Sequence, residues 1–292
     1  MQISQNFIKC ENLPLFDKIL LPRNNSPNMA NKISNIQKSE HLPFIKQNFG
    51  ILSEREIARR LKVGKTTINR WSRESGLVPI KHTVNESFFE DLNEKSAYLL
   101  GYIYADGNIA WNTKKGYYSM TITAAEKDKE HLEKLRLLIS STKPLLYSTK
   151  TKSYRLIVNS KKLCKKLMEY GLTPKKSLTI EFPNIPSEQF KHFLRGVIDG
   201  DGCVSYNNRK RSPYFEIRIY SGSKMFCDSL VKHIKSNSNI ATNVKRINRN
   251  LFQARYTCSR GKKLANFIYS NANIFLERKY LTYQNNVLEV RK

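Results

Sequence analysis

The chain contains 292 residues, of which 40% are hydrophobic and 11% aromatic, so it can bury one large core or two smaller ones and is too apolar to be disordered. Its formal net charge of +27 and isoelectric point near 9.9 favour a polyanionic partner. No apolar run is long enough to span a bilayer and no signal-peptide core is visible, which makes nucleic acid a better partner than a membrane.

The cysteines are few, widely scattered and odd in number. None lies in a Cys-x-x-Cys pair or near a histidine-rich cluster, which argues against a zinc site and against a disulfide framework. We therefore expect reduced, mostly buried thiols in a cytoplasmic protein, of bacterial or phage origin and associated with the nucleoid, with an organelle as the alternative. These residues are Cys10, Cys164, Cys203, Cys227 and Cys258.

The N-terminal part of the chain changes composition near its fortieth residue. Residues 1–36 are rich in Asn, Ser, Lys and Pro without sustained periodicity, which predicts a flexible basic arm. Residues 37–80 predict a small helical domain. It has a short helix over 41–49, a second helix opened by the capping-box pattern at 53–56, and a third over 65–74.

The third of these helices has two different faces. Ile68 and Trp71 face inward, whereas polar and basic residues face outward. A helix, a turn at Gly64 and a second helix with a basic outer face resemble the helix-turn-helix of site-specific DNA-binding proteins. The alternative is an ordinary helical hairpin with a solvated charged face. The residues predicted to contact DNA here are Lys65, Thr66, Thr67, Asn69, Arg70 and Arg73.

Two copies of one short motif, Leu99–Gly107 and Leu194–Gly202, follow a predicted linker over residues 81–93. Each copy reads as an apolar helix that ends on an aspartate followed by a glycine. Small residues four apart lie on one face of each helix, which lets the two helices touch backbone to backbone. The small residues are Gly101 and Ala105 in the first copy, and Gly196 and Gly200 in the second.

The same packing is expected to bring Asp106 and Asp201 together at the ends of their helices. The glycine after each aspartate, Gly107 or Gly202, is expected to leave the helix at positive φ. Two like charges at the negative ends of two helix dipoles need a counter-ion, and hard oxygen ligands favour Mg²⁺, with Mn²⁺ or Ca²⁺ as substitutes for binding. The alternative is that each aspartate simply lies near a helix end beside a capping glycine.

The elements that follow each motif come in the same order, which predicts an internal duplication. Repeat 1 is assigned to residues 94–182, a linker to 183–190 and repeat 2 to 191–292. Each repeat has a motif helix, alternating strands, a helix, a hairpin and a further helix. In repeat 2 the pattern places Met225 and Cys258 inward.

Basic and hydrogen-bonding residues occupy the outward positions of these strands. A curved antiparallel sheet with such a face can enter a major groove, whereas the alternative is a generally solvated basic surface. The strand residues predicted to contact DNA are Ser119, Thr121, Thr123, Ser153, Arg155 and Asn159 in repeat 1, and Tyr214, Glu216, Arg218, Tyr220, Gln253, Arg255 and Thr257 in repeat 2.

Over about residues 95–284 these features resemble the LAGLIDADG homing endonucleases in their single-chain, two-motif form. The second motif, LRGVIDGDG, is close to the family pattern, and the first, LLGYIYADG, has Tyr104 where the family often has an acid. The resemblance implies an α+β fold of two pseudo-twofold-related αββαββα repeats with antiparallel saddle-shaped sheets, here with an added small all-α helix-turn-helix domain. It also implies a monomer that cleaves both strands of a long DNA site with divalent metal.

The resemblance further implies roles for individual residues. The implied catalytic residues are Asp106, Asp201, Lys176 and Lys279, and the implied metal ligands are the two aspartates with the backbone carbonyls of Gly107 and Gly202 nearby. Each lysine has a second interpretation as a phosphate contact. Ala124 and Ser221 stand where family enzymes often place a water-orienting glutamine, so that auxiliary role has no matching side chain here.

Two other functions fit the same sequence features. A DNA-binding regulator could keep the fold without cleavage, and an RNA-splicing maturase could use a similar fold. The chain starts with Met and lacks a terminal His-Asn, so we expect a free-standing or intron-encoded enzyme rather than an intein.

Overall fold

The computed structural model of the protein describes residues 27–78, 81–208 and 212–288. The chain divides into two compact units, one up to Lys81 and one from His82 onward. Most of the arm predicted over residues 1–36 lies outside the described residues, as does Cys10. In the part of the chain that is described, no helix combines the length and the apolar character needed to cross a membrane.

In its described residues the smaller unit has the helices α1 (Pro27–Asn48), α2 (Glu54–Arg60) and α3 (Lys65–Glu74). The helix predicted over 41–49 is the C-terminal part of α1, which begins at a proline, a residue favoured at a first helical position. The second helix starts where the sequence predicts it, because the Ser53 hydroxyl accepts a hydrogen bond from the backbone N–H of Glu56. The helices pack around Ile45, Ile57, Ala58, Ile68 and Trp71.

The larger unit contains two copies of one arrangement, and both sheets are antiparallel with the order first, second, fourth, third strand. The two-repeat α+β fold is therefore confirmed. Repeat 1 consists of α4 (Glu94–Asp106), β1 (Gly107–Asn112), β2 (Tyr117–Ala125), α5 (Lys129–Leu138), β3 (Leu146–Ser148), β4 (Ser153–Val158) and α6 (Lys161–Glu169). Repeat 2 consists of α7 (Phe190–Asp201), β5 (Cys203–Asn207), β6 (Tyr214–Ser221), α8 (Lys224–Ser238), β7 (Val244–Asn248), β8 (Leu251–Thr257), α9 (Cys258–Tyr269) and α10 (Glu277–Tyr283).

One hydrophobic core runs through both repeats, with α4 and α7 at its centre. The sheets bury the side chains that alternation predicts, such as Met120 and Ile122 in β2 and Ile217 and Ile219 in β6. Helices α5, α6, α8 and α9 each contact their own repeat's sheet. The opposite positions of each strand carry polar and basic side chains.

The predictions that Met225 and Cys258 are buried are wrong. Met225 is 62% exposed, and Phe226 is buried instead. The reason is the helical spacing: residues four apart share a face, so the buried stripe of α8 that contains 230 and 234 includes 226 and leaves 225 outside it. Cys258 is exposed, because β8 ends at Thr257 and Cys258 adopts a left-handed conformation that turns the chain into α9.

Candidate active site

Helices α4 and α7 cross in backbone contact at Gly101 and Gly196. A Cβ atom built on Gly101 would lie 2.0 Å from the carbonyl oxygen of Phe193, and one on Gly196 would lie 2.0 Å from that of Tyr98. Neither position has room for any side chain. The close helix contact predicted from the spacing of small residues is therefore present.

This crossing aligns the C-terminal ends of the two helices, where the motif aspartates are. A Cβ on Gly200 would lie 2.4 Å from Ala105 Cβ and 3.4 Å from Oδ2 of Asp106, so Asp106 lies against the last turn of α7. Asp106 and Asp201 are each the last residue of their helix, and both are solvent-exposed. The paired carboxylates are thus brought to the same end of the unit.

The glycines that follow the aspartates do not have positive φ. Gly107 has φ −84° and Gly202 has φ −80°, both in extended backbone. Glycine is required here for space, because a Cβ would lie 2.6 Å from the carbonyl oxygen of Ile103 in the first copy and 2.5 Å from that of Ile198 in the second. The strand that follows each motif helix thus starts tightly against the last helical turn.

The environment of the two aspartates disfavours their charged forms. The surrounding protein and then the negative charge of Asp201 raise the pKa of Asp106 to about 6, which Lys279 and Lys176 offset only in part. The surrounding protein also raises the pKa of Asp201, with Lys176 and Lys279 acting against it. No hydrogen bond from the described residues reaches either carboxylate, so both retain all their lone pairs for another partner.

This donor set fits a divalent cation. Mg²⁺ is usually held by one or two carboxylates, with water and substrate phosphate oxygens completing the shell, so two free carboxylates suffice on the protein side. Within residues 27–78, 81–208 and 212–288, no group of three or more His, Cys, Asp or Glu side chains is arranged to hold a metal alone. The two aspartates are the residues that would hold it, shared with a phosphate.

Lys176 and Lys279 are buried beneath the ends of the motif helices. Lys176 Nζ donates to the carbonyl of Tyr104 at 2.6 Å in α4. Lys279 Nζ donates to the carbonyls of Ile198 and Asp199 at 2.7 Å in α7. Each lysine thus places a positive charge at the negative end of its own repeat's motif helix. Burial lowers the pKa of both amines, and that of Lys279 falls to about 8.

The charges of the lysines act across the repeats. The cation that most stabilises the charged form of Asp201 is Lys176 of repeat 1, and the one that most stabilises that of Asp106 is Lys279 of repeat 2. A crevice of 60 Å³ beside Asp201 is lined by Lys176 and Ser221 among others. The matching residue in repeat 1, Ala124, is buried and has no polar group.

The predicted role of the glycine carbonyls is restricted by the lysines. Lys279 Nζ donates to the carbonyl of Gly202 at 2.6 Å, so that oxygen already has a strong donor. Gly107 pairs with Ile122 at the start of β1. The metal-binding role of these two carbonyls stays a prediction.

A buried network next to Lys279 was not identified from the sequence. Asp199, 1% exposed, accepts hydrogen bonds from the hydroxyls of Tyr98 at 2.8 Å and Tyr269 at 2.7 Å and from the backbone N–H of Leu276 at 2.8 Å. It thereby holds the segment before Lys279 against α7. The matching residue in repeat 1, Tyr104, donates its hydroxyl to the carbonyl of Tyr170. In the sequence, this network is indicated by the difference between Tyr104 and Asp199 at the same position of the two motifs.

The repeat 1 sheet exposes most of the side chains predicted to contact DNA. Thr123, Arg155 and Asn159 are exposed and Thr121 is half-buried. Two predictions of exposure are wrong, for Ser119 and Ser153. Ser153 Oγ is within 2.7 Å of the Thr151 hydroxyl, which covers it, whereas nothing in the structure explains the burial of Ser119.

The repeat 2 sheet carries the more strongly charged face. Tyr214, Arg218, Tyr220, Gln253 and Thr257 are half-buried and Arg255 is exposed. The prediction that Glu216 is exposed is wrong, since it is 0% exposed. Arg218, Arg255 and Asn207 donate hydrogen bonds to its carboxylate and cover it.

In the smaller unit, α3 presents the face expected for DNA contact. Lys65, Thr66, Arg70 and Arg73 are exposed, whereas Thr67 and Asn69 are half-buried. The Asn69 amide donates to Glu54 at 3.1 Å and accepts from Arg73 at 2.9 Å, so its groups are already used within the unit. A base contact by Asn69 would require these bonds to be exchanged.

The fold and site define a duplicated α+β protein whose two central helices end on paired carboxylates. The sequence model of the LAGLIDADG-like domain matches residues 93–170 and 188–269. The chain belongs to this family. The first matched segment spans the elements of repeat 1, the second spans those of repeat 2 as far as α9, and together they cover more than half of the chain.

Several known proteins are similar to this one. The structure of the meganuclease I-SmaMI bound to uncleaveable DNA with a TTGT central four has a TM-score of 0.50 at 15% identity, covering 68% of this chain and 92% of that one, and establishes the shared fold. The meganuclease I-AabMI bound to uncleaved DNA has a TM-score of 0.49 at 17% identity, covering 68% and 90%. An uncharacterized protein of Methanocaldococcus jannaschii is 29% identical over 195 residues, which are 64% of this chain and 68% of the relative.

Proposed function

We propose that the protein is a homing endonuclease, a site-specific enzyme that hydrolyses phosphodiester bonds in both strands of a long DNA target with Mg²⁺. The observation that carries the proposal is the pair of unpartnered carboxylates, Asp106 and Asp201, at the adjoining ends of α4 and α7. Their raised pKa values indicate a site that gains stability from a cation.

The residues of the chain divide the chemistry between them. A divalent cation held by Asp106 and Asp201 supplies Lewis-acid polarisation of the phosphate and a more acidic water. Lys176 and Lys279 supply fixed positive charge behind the carboxylates, which stabilises negative charge that develops on the phosphate. Because these amines are buried and hydrogen-bonded, they need little reorganisation during the reaction.

The outer faces of the two sheets and the exposed face of α3 support binding to a long DNA target. The two sheets carry basic and hydrogen-bonding side chains on adjacent strands, and the net charge of +27 favours the DNA backbone. We also propose that α3 of the smaller unit binds DNA, since Lys65, Arg70 and Arg73 lie on its exposed face. We expect the enzyme to act as a monomer, because both motifs are on one chain.

A DNA-binding regulator is the second candidate. The observation that favours it is Ala124, which offers no polar group to orient water on the repeat 1 side of the site. A regulator would bind one DNA sequence without cutting it, whereas a maturase would prefer structured RNA.

A cleavage selection separates these functions. A plasmid library of random inserts is incubated with the protein and Mg²⁺, and linearised molecules are sequenced beside molecules that are bound but uncut. We expect one long sequence to be linearised, and Asp201→Asn to bind it unchanged while cleaving at least about 100-fold more slowly. Asp228→Asn, which removes an acid paired with Lys224 on the outer surface, is the matched control and keeps full activity. Bound but uncut molecules with Mg²⁺ present would establish the regulator, and preferential retention of RNA competitor would favour the maturase.

A further inference from the structure

Arg218 and Arg255 lie directly opposite each other on β6 and β8 of the repeat 2 sheet. Like charges in a cross-strand pair repel, so this arrangement needs a compensating anion. Glu216, two residues before Arg218 on the same face of β6, provides it. Its carboxylate is 0% exposed, whereas the arginine side chains are 32% and 47% exposed.

Glu216 binds the two arginines through different oxygens. Nε and Nη2 of Arg218 both donate to Oε1 of Glu216, and the Nε distance is 3.0 Å. Nε of Arg255 donates to Oε2 at 2.8 Å. Asn207 adds a donor to Oε1 at 2.9 Å. Burial alone would raise the pKa of Glu216, but these hydrogen bonds outweigh it and lower the pKa to about 2, so the carboxylate is ionised at neutral pH.

This attachment leaves a defined part of each guanidinium unused. A guanidinium has five N–H donors, and the side edge made by Nε and Nη2 of Arg218 is taken by Glu216. Nη1 of Arg218 has only a long contact of 3.4 Å to the Tyr220 hydroxyl. The end of the guanidinium, with one N–H each on Nη1 and Nη2, therefore remains available. This is the fork geometry that pairs bidentately with O6 and N7 of guanine.

Arg255 strengthens the same arrangement from the neighbouring strand. Its guanidinium carbon lies 5.9 Å from the ring centre of Tyr214, and its Nη2 donates to the Tyr214 hydroxyl at 3.1 Å. Within the described residues its Nη1 has no partner. A groove of 480 Å³ runs beside Arg255 and is lined by Lys245 and Arg260, which provides room and charge for a polyanion next to the arginines.

Repeat 1 has no counterpart to this cluster. The residue after Gly202, Cys203, pairs with Arg218, and the residue after Gly107, Asn108, pairs with Thr121. The cross-strand pair Arg218–Arg255 thus corresponds to Thr121–Ile157 in repeat 1. A hydroxyl and an apolar side chain replace the two guanidinium groups, and neither can form a fork with guanine.

We infer that Arg218, held by Glu216 and Arg255, reads a guanine in the half of the target that binds repeat 2, and that the other half has no guanine requirement at the equivalent position. Arg218 is a specificity-determining residue, whereas Glu216 and Arg255 are positioning residues. The inference rests on the proposed function, since it names a feature of the DNA that the same protein would bind. Because Cys203, the partner of Arg218, is only two residues from Asp201, the guanine lies in the inner part of its half-site.

The test compares base preferences selected by the full chain from a pool of random DNA duplexes, without a cleavage step. Arg218→Lys keeps the charge but removes the fork, so guanine preference at one position falls by about tenfold or more while the salt dependence of binding is unchanged. Glu216→Gln is expected to lower preference at that same position. Arg155→Lys, an exposed arginine of β4 in repeat 1, is the matched control and leaves that position unaltered.

The outcomes separate the inference from the proposed function. A selected sequence whose guanine preference is unchanged in Arg218→Lys overturns the inference and leaves the proposed function standing. If Glu216→Gln lowers thermal stability but leaves the base preference unaltered, Glu216 has only a structural role. That result overturns the claim that Glu216 positions Arg218. Failure of the wild-type chain to select any DNA sequence overturns the proposed function and the inference together.

Discussion

Lys279 and Gly202 are joined by a 2.6 Å hydrogen bond from the amine to the backbone carbonyl, so the second repeat closes the end of its own motif helix with a buried cation. In the first repeat the Lys176 amine donates a hydrogen bond to the backbone carbonyl of Tyr104 and makes a longer contact of 3.4 Å to that of Ala105. The two lysines bind their helix ends to different extents. The Lys279 amine lies within hydrogen-bond distance of four backbone carbonyls, and the Lys176 amine within that of two.

The cross-repeat pairing of lysines with aspartates predicts strand-specific defects. Lys176→Met is expected to slow cleavage of the strand served by Asp201, and Lys279→Met that of the strand served by Asp106, each by about 100-fold, because each loses the cation that most offsets its carboxylate. Strand-specific end labels on a cleaved duplex measure this. Lys175→Met removes the same charge from an exposed neighbouring position and controls for net charge. Equal slowing of both strands in each variant would contradict the assignment.

The raised pKa of Asp106 predicts a pH-dependent gain in stability for Asp106→Asn. Below about pH 4 the carboxyl is protonated in both the folded and the unfolded state, so the two proteins should be equally stable. Between about pH 4 and pH 6 the unfolded state has released this proton while the folded state still holds it, so rising pH lowers the free energy of unfolding of the wild type alone, and above about pH 6 the loss stays constant.

The difference in thermal midpoint between Asp106→Asn and the wild type should therefore grow from about pH 4 to about pH 6 and then level off. Because the carboxylate is exposed, solvent screening limits the gain to a few degrees. Mg²⁺ should reduce the difference by stabilising the wild type through binding. A difference that does not vary with pH would rule out a raised pKa as the cause.

The helix crossing predicts that Gly101→Ala and Gly196→Ala abolish the fold of the larger unit. The added methyl group would lie 2.0 Å from a backbone carbonyl oxygen on the opposite helix, and a backbone cannot move aside as a side chain can. We expect a loss of more than 10 °C in thermal midpoint or insoluble protein. Gly116→Ala is the control, since it introduces strain from a φ of +60° but meets nothing within 4 Å, and should cost about 1 kcal/mol. A thermal midpoint for either crossing variant close to that of Gly116→Ala would contradict this prediction.

The basic surfaces predict a steep salt dependence of DNA binding. Contact with about six phosphates would lower the affinity by roughly three decades over a fourfold rise in salt. Replacing Arg70 and Arg73 of α3 by glutamine should reduce the slope by about two, because two exposed cations are lost, without altering cleavage of bound DNA. Fluorescence anisotropy with a labelled duplex gives both slopes, and an unaltered slope would remove α3 from the DNA interface.

The structural features that can be predicted from the sequence arise from residues that are close together along the chain. Glycines at 101 and 196 and alternation along β2 and β6 act over a few residues, so the helix crossing and the sheets follow from them. The burial of Glu216 depends on Arg255, 39 positions away, and that of Asp199 on Tyr98 and Tyr269. Contacts at such separations have no local pattern, and the strand alternation that places Glu216 outward cannot show that two arginines cover it.

An ion pair also joins the two repeats, with its arginine in repeat 2 and its glutamate in repeat 1. Arg195 of α7, 0% exposed, donates to Glu94 at the start of α4 at 2.6 Å and to the carbonyls of Ile268 and Ile274, while Glu94 also accepts from the side chain and backbone of Asn273. Repeat 2 therefore depends on an acid that repeat 1 contributes. In chimeras that exchange repeats between related proteins to obtain new targets, the first repeat that is joined to this second repeat must have a glutamate at the start of its motif helix, or Arg195 is left as an uncompensated buried charge.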